Sequence, residues 1–246
     1  MKPTFKGFFS VLLHPSRLKR LAHREVRFRN RLLSKERWLT WQVYDSKQHI
    51  EQMESHPAII AGFPLQIQRL KIILGMVSSV GRGLDILDVG CGNGTIYKPI
   101  ADTGNLVTSV ELRGISGLSR RCGVRCVISG DAESLGFVNE GFDIVVASEV
   151  AEHLWEPELF FKEAHRVLKN KGFLIVSTPD GEIGLEFDSH RHFFTEERLQ
   201  GIASGGFAMC QLKRLGPEHG ASPTLIVMLQ KIKIDKDAAG KEMIRT

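Results

Sequence analysis

The sequence has few cysteines and no long apolar run, and each shortage excludes a class of protein. Four cysteines in 246 residues are too few for a disulfide-stapled scaffold, and Cys122 and Cys126 lack zinc-ribbon spacing. No uncharged apolar run approaches the roughly 20 residues of a membrane-spanning helix. A hydrophobic fraction of 42% and a charged fraction of 25% exclude extensive disorder and fibrous repeats. The N-terminus lacks a signal-peptide core, so we expect a cytoplasmic protein with reduced cysteines.

Positive charge is concentrated at the N-terminus. Residues 1–41 contain eleven Lys and Arg against two Glu, a formal charge of +9, whereas the rest of the chain carries −4. Apolar and basic side chains between residues 17 and 35 alternate at helical spacing, which predicts a basic amphipathic helix. Such a helix can lie on an anionic membrane, bind nucleic acid, or dock with its basic face in solvent. We therefore predict a basic helical extension over residues 1–64. Residues 1–40 are a candidate contact with the inner membrane surface.

Strands and helices alternate from residue 84 onward. Short β-rich runs predict seven strands, at 84–89, 106–111, 124–129, 142–148, 173–178, 207–215 and 225–232. Helical spacing predicts a helix from Pro157 to Leu168, ended by Gly172, and another with Thr195 as its N-cap. This alternation predicts an α/β fold over residues 65–232, with a doubly wound, mostly parallel sheet, followed by a polar tail at 233–246. Ligands of such sheets bind at the carboxyl ends of the strands.

The first predicted strand runs into a glycine-rich loop, Asp88-Val-Gly-Cys-Gly-Asn-Gly94. Glycines at alternate positions allow a sharp turn and a close approach of the backbone to a ligand. The spacing differs from the Gly-x-Gly-x-x-Gly of dinucleotide-binding proteins. The Asp88 carboxylate is unfavourable beside a pyrophosphate but suits a cation. The loop therefore favours a nucleoside with a positive group over NAD.

Acidic residues follow the next two predicted strands. Glu111 lies about 20 residues after the loop, where a carboxylate in this topology accepts hydrogen bonds from ribose hydroxyls. Asp131 follows the third strand, where its carboxylate can accept a hydrogen bond from the adenine amino group. Either residue alone could be a helix cap, but their order and spacing together predict a nucleoside site.

These motifs, together with Arg166-Val-Leu-Lys169 and the run from Gly172 to Pro179, resemble those of class I S-adenosylmethionine-dependent methyltransferases. The similarity covers residues 65–232 and is greatest to the ubiquinone-type O-methyltransferase branch. It implies a seven-stranded sheet with an antiparallel last strand, and S-adenosyl-L-methionine as cofactor. Where many relatives have Pro-Gly-Gly, this chain has Asn170-Lys-Gly172. The cofactor-binding residues that the resemblance implies are Asp88, Gly90, Cys91, Gly92, Asn93, Gly94, Glu111, Leu112, Asp131, Ala132 and Ser148.

The fourth predicted strand leads into a Glu149-x-x-Glu152-His153 run, which is similar to one in ubiquinone-type O-methyltransferases and small-RNA 2′-O-methyltransferases. A hydroxyl acceptor must lose a proton, and we predict His153 as the catalytic base. Glu149, His190 and His192 are predicted to bind the acceptor. The resemblance also suggests a metal site, with Glu149, Glu152, His153 and a later histidine as ligands. We expect no metal: in the alternative, Glu149 contacts backbone, Glu152 is solvated and His153 shapes the pocket.

The predicted function is transfer of a methyl group to a small-molecule or lipid-linked acceptor, at oxygen. One alternative is an RNA 2′-O-methyltransferase. The acidic domain and the lack of interleaved aromatic residues in the basic arm disfavour nucleic acid. The second alternative is a cofactor-binding partner protein without catalysis. The sequence leaves the acceptor and the oligomeric state open.

Overall fold

The computed structural model describes residues 64–181, 190–216 and 223–233. The predicted extension, up to residue 63, and the tail beyond residue 233 lie outside the described residues. The described elements are α1 (Pro64–Val80), β1 (Asp85–Val89), α2 (Tyr97–Asp102), β2 (Leu106–Glu111), α3 (Arg113–Arg121), β3 (Val127–Ser129), β4 (Phe142–Ser148), a 3-10 turn (Ala151–His153), α4 (Pro157–Val167), β5 (Leu168–Pro179), α5 (Glu196–Ala203), β6 (Phe207–Leu215) and β7 (Thr224–Lys231).

The strands form one seven-stranded sheet in the order β3-β2-β1-β4-β5-β7-β6. The first five strands pair in parallel, and β7 is antiparallel to both of its neighbours. This confirms the predicted fold class, including the antiparallel last strand. The strand order reverses between β1 and β4, which is where a doubly wound sheet opens a crevice for a ligand.

Alternate residues of the central strands belong to two buried apolar layers, one on each face of the sheet. Leu87 and Val145 belong to the layer covered by α4 and α5, whereas Ile86 and Ile144 belong to the layer covered by α1 and α2. Each fully buried large side chain, such as Phe160 of α4, contributes about 1.5–3 kcal/mol through removal of apolar surface from water. The two layers hold the carboxyl ends of β1 and β4 side by side.

Several predicted element boundaries are confirmed. Strands β2 and β4 have the predicted limits, and α4 begins at Pro157. The hydroxyl of Thr195 accepts a hydrogen bond from the Arg198 N–H at 3.3 Å, as expected of an N-cap. Within the described residues, none of the helices is long and apolar enough to cross a membrane.

Two predicted strands differ by more than one residue from their limits in the structure, whereas β1 and β7 differ by a single residue. Strand β5 begins at Leu168, because this residue is already extended (φ −70°, ψ 138°) and pairs with Phe142. The predicted helix therefore ends one residue early, at Val167. Strand β3 begins at Val127 and not at residue 124, because the Val124 N–H donates to the Ser119 carbonyl at the end of α3.

Gly172 lies inside β5, so its predicted role as a helix stop is wrong. A Cβ at this position would lie 2.9 Å from the Asp143 carbonyl oxygen and 3.0 Å from that of Lys169. We expect Gly172→Ala to lower the free energy of unfolding by about 1–3 kcal/mol, since the backbone must shift to admit the methyl group. Urea denaturation checks this. Gly201→Ala, in α5 with open space around it, is the control and should be neutral or stabilising.

Candidate functional site

The predicted site residues lie at the ends of β1, β2 and β4 and in the loops that follow the first five strands, at the carboxyl edge of the sheet. The glycine loop follows β1. Gly90, Gly92 and Gly94 have φ values of 71°, 48° and 83°. Residues with a side chain rarely adopt this backbone conformation. A Cβ on Gly90 would lie 2.5 Å from the Val150 side chain. The loop is therefore compact and largely buried, and the missing side chains let Val150 pack against its backbone.

Glu111 joins the glycine loop to the end of β2. Its Oε2 accepts a hydrogen bond from the Gly92 N–H at 2.9 Å, and its Oε1 accepts one from the Leu112 N–H at 2.7 Å. Burial raises the pKa of the Glu111 carboxyl, and the two backbone donors oppose that rise. Each carboxylate oxygen can accept a second hydrogen bond, which is what the hydroxyls of a ribose would donate.

Asp88, at the end of β1, is buried with an unsatisfied oxygen. Its side chain is 1% exposed, and Oδ2 has no hydrogen-bond partner among the described residues. Burial raises the pKa of the Asp88 carboxyl to about 7, and the nearby Glu111 charge contributes to the rise. A buried carboxylate without a partner is costly, and a positively charged ligand would offset that cost.

Other side chains of the loop fix its shape. The Asn93 Oδ1 accepts a hydrogen bond from the Thr95 hydroxyl at 2.7 Å. Burial raises the pKa of the Cys91 thiol, as do the charges of Asp88 and Glu111, so Cys91 stays a neutral packing residue. The Ser119 hydroxyl, on α3, donates to the Gly92 carbonyl at 2.5 Å. No sequence pattern indicates this role of Ser119, because the two residues are 27 positions apart.

The acidic loop after β3 is connected to the loop after β4. Asp131 Oδ1 accepts a hydrogen bond from the Glu133 N–H at 2.9 Å, and Ala132 packs against the core. Glu133 is buried, and its Oε1 accepts hydrogen bonds from the backbone N–H groups of Trp155 at 2.6 Å and Glu156 at 2.7 Å. Glu133 thus fixes the distance between the predicted adenine loop and the start of α4.

We expect Glu133→Ala to lower the free energy of unfolding by about 1–3 kcal/mol, because it leaves two partly buried backbone donors without their acceptor. Glu133→Gln is the matched control, since its amide oxygen can still accept both hydrogen bonds, and it should lose less than half as much. Urea denaturation measures both. Equal losses for the two variants would show that the carboxylate charge, and not the acceptor, is what stabilises the loop.

Glu149 follows β4 with a left-handed backbone (φ 57°), a strained conformation for a residue with a side chain. Its Oε1 accepts a hydrogen bond from the Ser177 hydroxyl at 3.0 Å, and Ser148 and Ser177 share a hydrogen bond at 2.8 Å. Its Oε2 lies 2.8 Å from Nη1 of Arg69, on α1. The sequence interpretation missed Arg69, which precedes the predicted motifs.

Glu152, His153 and His190 lie together, and Glu149 lies beside them. We call these four residues the acceptor-side cluster, because Glu149 and His190 are predicted to bind the acceptor. One ligand atom from each of Glu152, His153 and His190 can lie within 4.8 Å of the other two. The Glu152 side chain is 1% exposed, so the expectation that it is solvated is wrong. Its Oε2 accepts a hydrogen bond from the Thr178 hydroxyl at 3.2 Å. The structure thus gathers three of the residues that the metal alternative named, while Glu149 turns to Arg69 and Ser177.

His192 is held within the protein by both ring nitrogens. Arg198 donates to Nδ1 at 3.0 Å, so Nε2 carries the proton and faces the Trp155 carbonyl at 3.4 Å. Burial lowers the pKa of His192, and the Arg198 charge adds to the effect. This geometry suits a residue that positions the loop, and acceptor binding by His192 stays a prediction. Residues 182–189 of the same loop lie outside the described part of the chain.

The structure is a doubly wound α/β domain whose glycine loop lies at the switch point of the sheet. Residues 87–176 match the family model of a methyltransferase domain. The chain is 36% identical over 103 residues to a ubiquinone biosynthesis O-methyltransferase of Azorhizobium caulinodans, a stretch that is 39% of this chain and 41% of that protein. The chain thus spans about two fifths of the length of the curated relatives it matches.

Solved structures have the same fold. The N-methyltransferase NodS from Bradyrhizobium japonicum, in complex with S-adenosylhomocysteine, superposes with a TM-score of 0.65 at 16% identity, over 76% of this chain and 98% of that one. The 1,6-didemethyltoxoflavin-N1-methyltransferase of Burkholderia thailandensis superposes with a TM-score of 0.60 at 17% identity, over 76% of this chain and 86% of that one. Residues 87–176 therefore match a methyltransferase domain, within a fold that this chain shares with solved methyltransferases.

Proposed function

We propose that this protein binds S-adenosylmethionine in the glycine loop and transfers its methyl group to an oxygen of a small-molecule or lipid-linked acceptor. The observation that carries the cofactor assignment is the buried, unpartnered Oδ2 of Asp88 beside the left-handed glycines of the Gly90–Gly94 loop. A positive charge from the methionine portion would satisfy that oxygen. Glu111 has acceptor capacity for the ribose, and Asp131 with Ala132 lies on the adenine side.

The sulfonium cofactor supplies an activated methyl group, so the protein has mainly to align donor and acceptor. Methylation at oxygen also requires that the acceptor hydroxyl lose its proton. His153 is the candidate base, because it is partly exposed at the end of β4 and its Nε2 lies 3.9 Å from Glu152 Oε1. A carboxylate beside an imidazole favours the protonated ring that forms when the proton is taken. The similarity to ubiquinone biosynthesis O-methyltransferases supports oxygen as the methylated atom.

The test is incubation of the full chain with S-adenosylmethionine labelled in its methyl group, together with fractionated cell extract, followed by identification of the labelled product. We expect label in a small organic or lipid fraction as a base-stable ether. His153→Gln should retain cofactor binding and lose transfer. Label in RNA that ribonuclease releases would favour the RNA alternative, and cofactor binding without any transfer would favour a non-catalytic partner protein.

We further propose that the basic segment, residues 1–40, brings the enzyme to an anionic membrane surface. Its support is the charge of +9 over residues 1–41, combined with apolar side chains at helical spacing. Removal of residues 1–40 should abolish sedimentation with vesicles of anionic lipid while cofactor binding is kept. A truncated protein that still sediments with these vesicles would rule out the segment as the membrane contact.

A further inference from the structure

Arg69 lies at the acceptor-side cluster, although α1 precedes the stretch that matches the methyltransferase family. Its side chain is 11% exposed, and Nη1 lies 2.8 Å from Glu149 Oε2. The other oxygen of Glu149 accepts the hydrogen bond from Ser177. Protein donors therefore contact both oxygens of this carboxylate, and its orientation is set by them.

The charge of Arg69 also reaches Glu152. Burial raises the pKa of the Glu152 carboxyl, and the Glu149 charge raises it further. The Arg69 charge lowers this pKa and so opposes both effects. Oε1 of Glu152 is buried without a hydrogen-bond partner among the described residues. Two carboxylates beside His153 and His190 are donors that bind divalent metals when no resident cation balances them.

We propose that Arg69 is the resident cation of the acceptor-side cluster: its guanidinium balances Glu149 and Glu152, holds Glu149 away from a metal position, and makes this protein independent of divalent cations. A guanidinium keeps its charge at every physiological pH and forms directed hydrogen bonds to carboxylates, so it can act as a fixed substitute for a metal ion. The proposal concerns the charge of the cluster. Its consequence for catalysis rests on the proposed methyl transfer.

The test is titration of the full chain with Mn²⁺, followed by electron paramagnetic resonance. Arg69→Met removes the charge and keeps much of the apolar length. It should bind Mn²⁺ at least about tenfold more tightly than wild type, because a like charge within a few ångströms of the ion is gone. Arg69→Lys retains the charge and should behave as wild type. Arg82→Met removes the same charge from an exposed position before β1 and controls for net charge.

Wild-type protein that binds Mn²⁺ as tightly as Arg69→Met would overturn the proposal. If Arg69→Met does not fold, thermal unfolding of the wild type decides. A melting temperature that is the same in Mn²⁺ and in chelator supports a resident cation. A melting temperature that Mn²⁺ raises, with the rise lost in Glu149→Gln, refutes it. Neither readout depends on methyl transfer, so failure of the proposed function would leave this test intact.

Discussion

Glu111→Ala should weaken binding of S-adenosylmethionine by at least about a hundredfold. The substitution removes the acceptors for two ribose hydroxyls, and hydrogen bonds to a charged group contribute about 1.5–3 kcal/mol each. It also releases the Gly92 N–H, which Glu111 Oε2 holds at 2.9 Å, so that the glycine loop loses one of its supports. Isothermal titration calorimetry measures the affinity, and circular dichroism establishes that the variant is folded.

Two further variants make the result specific. Glu111→Gln keeps one carbonyl acceptor and should fall between wild type and Glu111→Ala. Glu140→Ala, in the exposed turn before β4 at the opposite edge of the sheet, removes the same charge and should bind as wild type does. An affinity of Glu111→Ala within twofold of wild type would mean that Glu111 does not contact the cofactor.

Asp88→Asn should stabilise the free protein above neutral pH. The folded-state pKa of Asp88 is raised from 3.8 to about 7, so the native protein retains a proton that the unfolded chain has released. The wild type therefore loses stability as pH rises from about 4 to about 7, and the asparagine variant avoids that loss. Between pH 5 and pH 8 the stability difference should move by about 2–3 kcal/mol in favour of the variant. Urea denaturation at the two pH values checks this.

The same substitution should weaken cofactor binding. A neutral amide lacks the charge that we assign to the recognition of the positive ligand, and the loss is expected to be about tenfold or more at pH 8. Wild-type affinity should rise with pH as Asp88 ionises near pH 7, whereas the affinity of Asp88→Asn should not follow that titration. Parallel pH profiles for the two proteins would contradict a direct role for Asp88.

The glycine loop and Glu111 could be predicted from the sequence because their signals are local. Alternate glycines dictate a turn, and the carboxylate follows at the interval that the topology requires. Contacts between distant segments carry no such signal. Glu133 caps backbone groups of Trp155 and Glu156, more than 20 positions away, and its spacing within the acidic loop does not reveal this.

Strand β5 and Arg69 illustrate the same limit. Leu168 continues the helical apolar pattern of α4, but its pairing with Phe142 makes it extended, so tertiary contact overrides the periodicity. Arg69 is one of many arginines in the chain, and only the fold places it beside Glu149. The cofactor side of the pocket was thus predictable in outline, whereas the charge balance of the acceptor side required the structure.

The most direct test of the central claim is calorimetric titration of the full-length protein with S-adenosylmethionine at pH 8, where the Asp88 carboxylate is ionised, with NAD as the comparison ligand. The account predicts saturable heat at a single site for the sulfonium nucleoside and none for the dinucleotide. Folded protein that gives no heat with S-adenosylmethionine, or that binds NAD equally well, would contradict it.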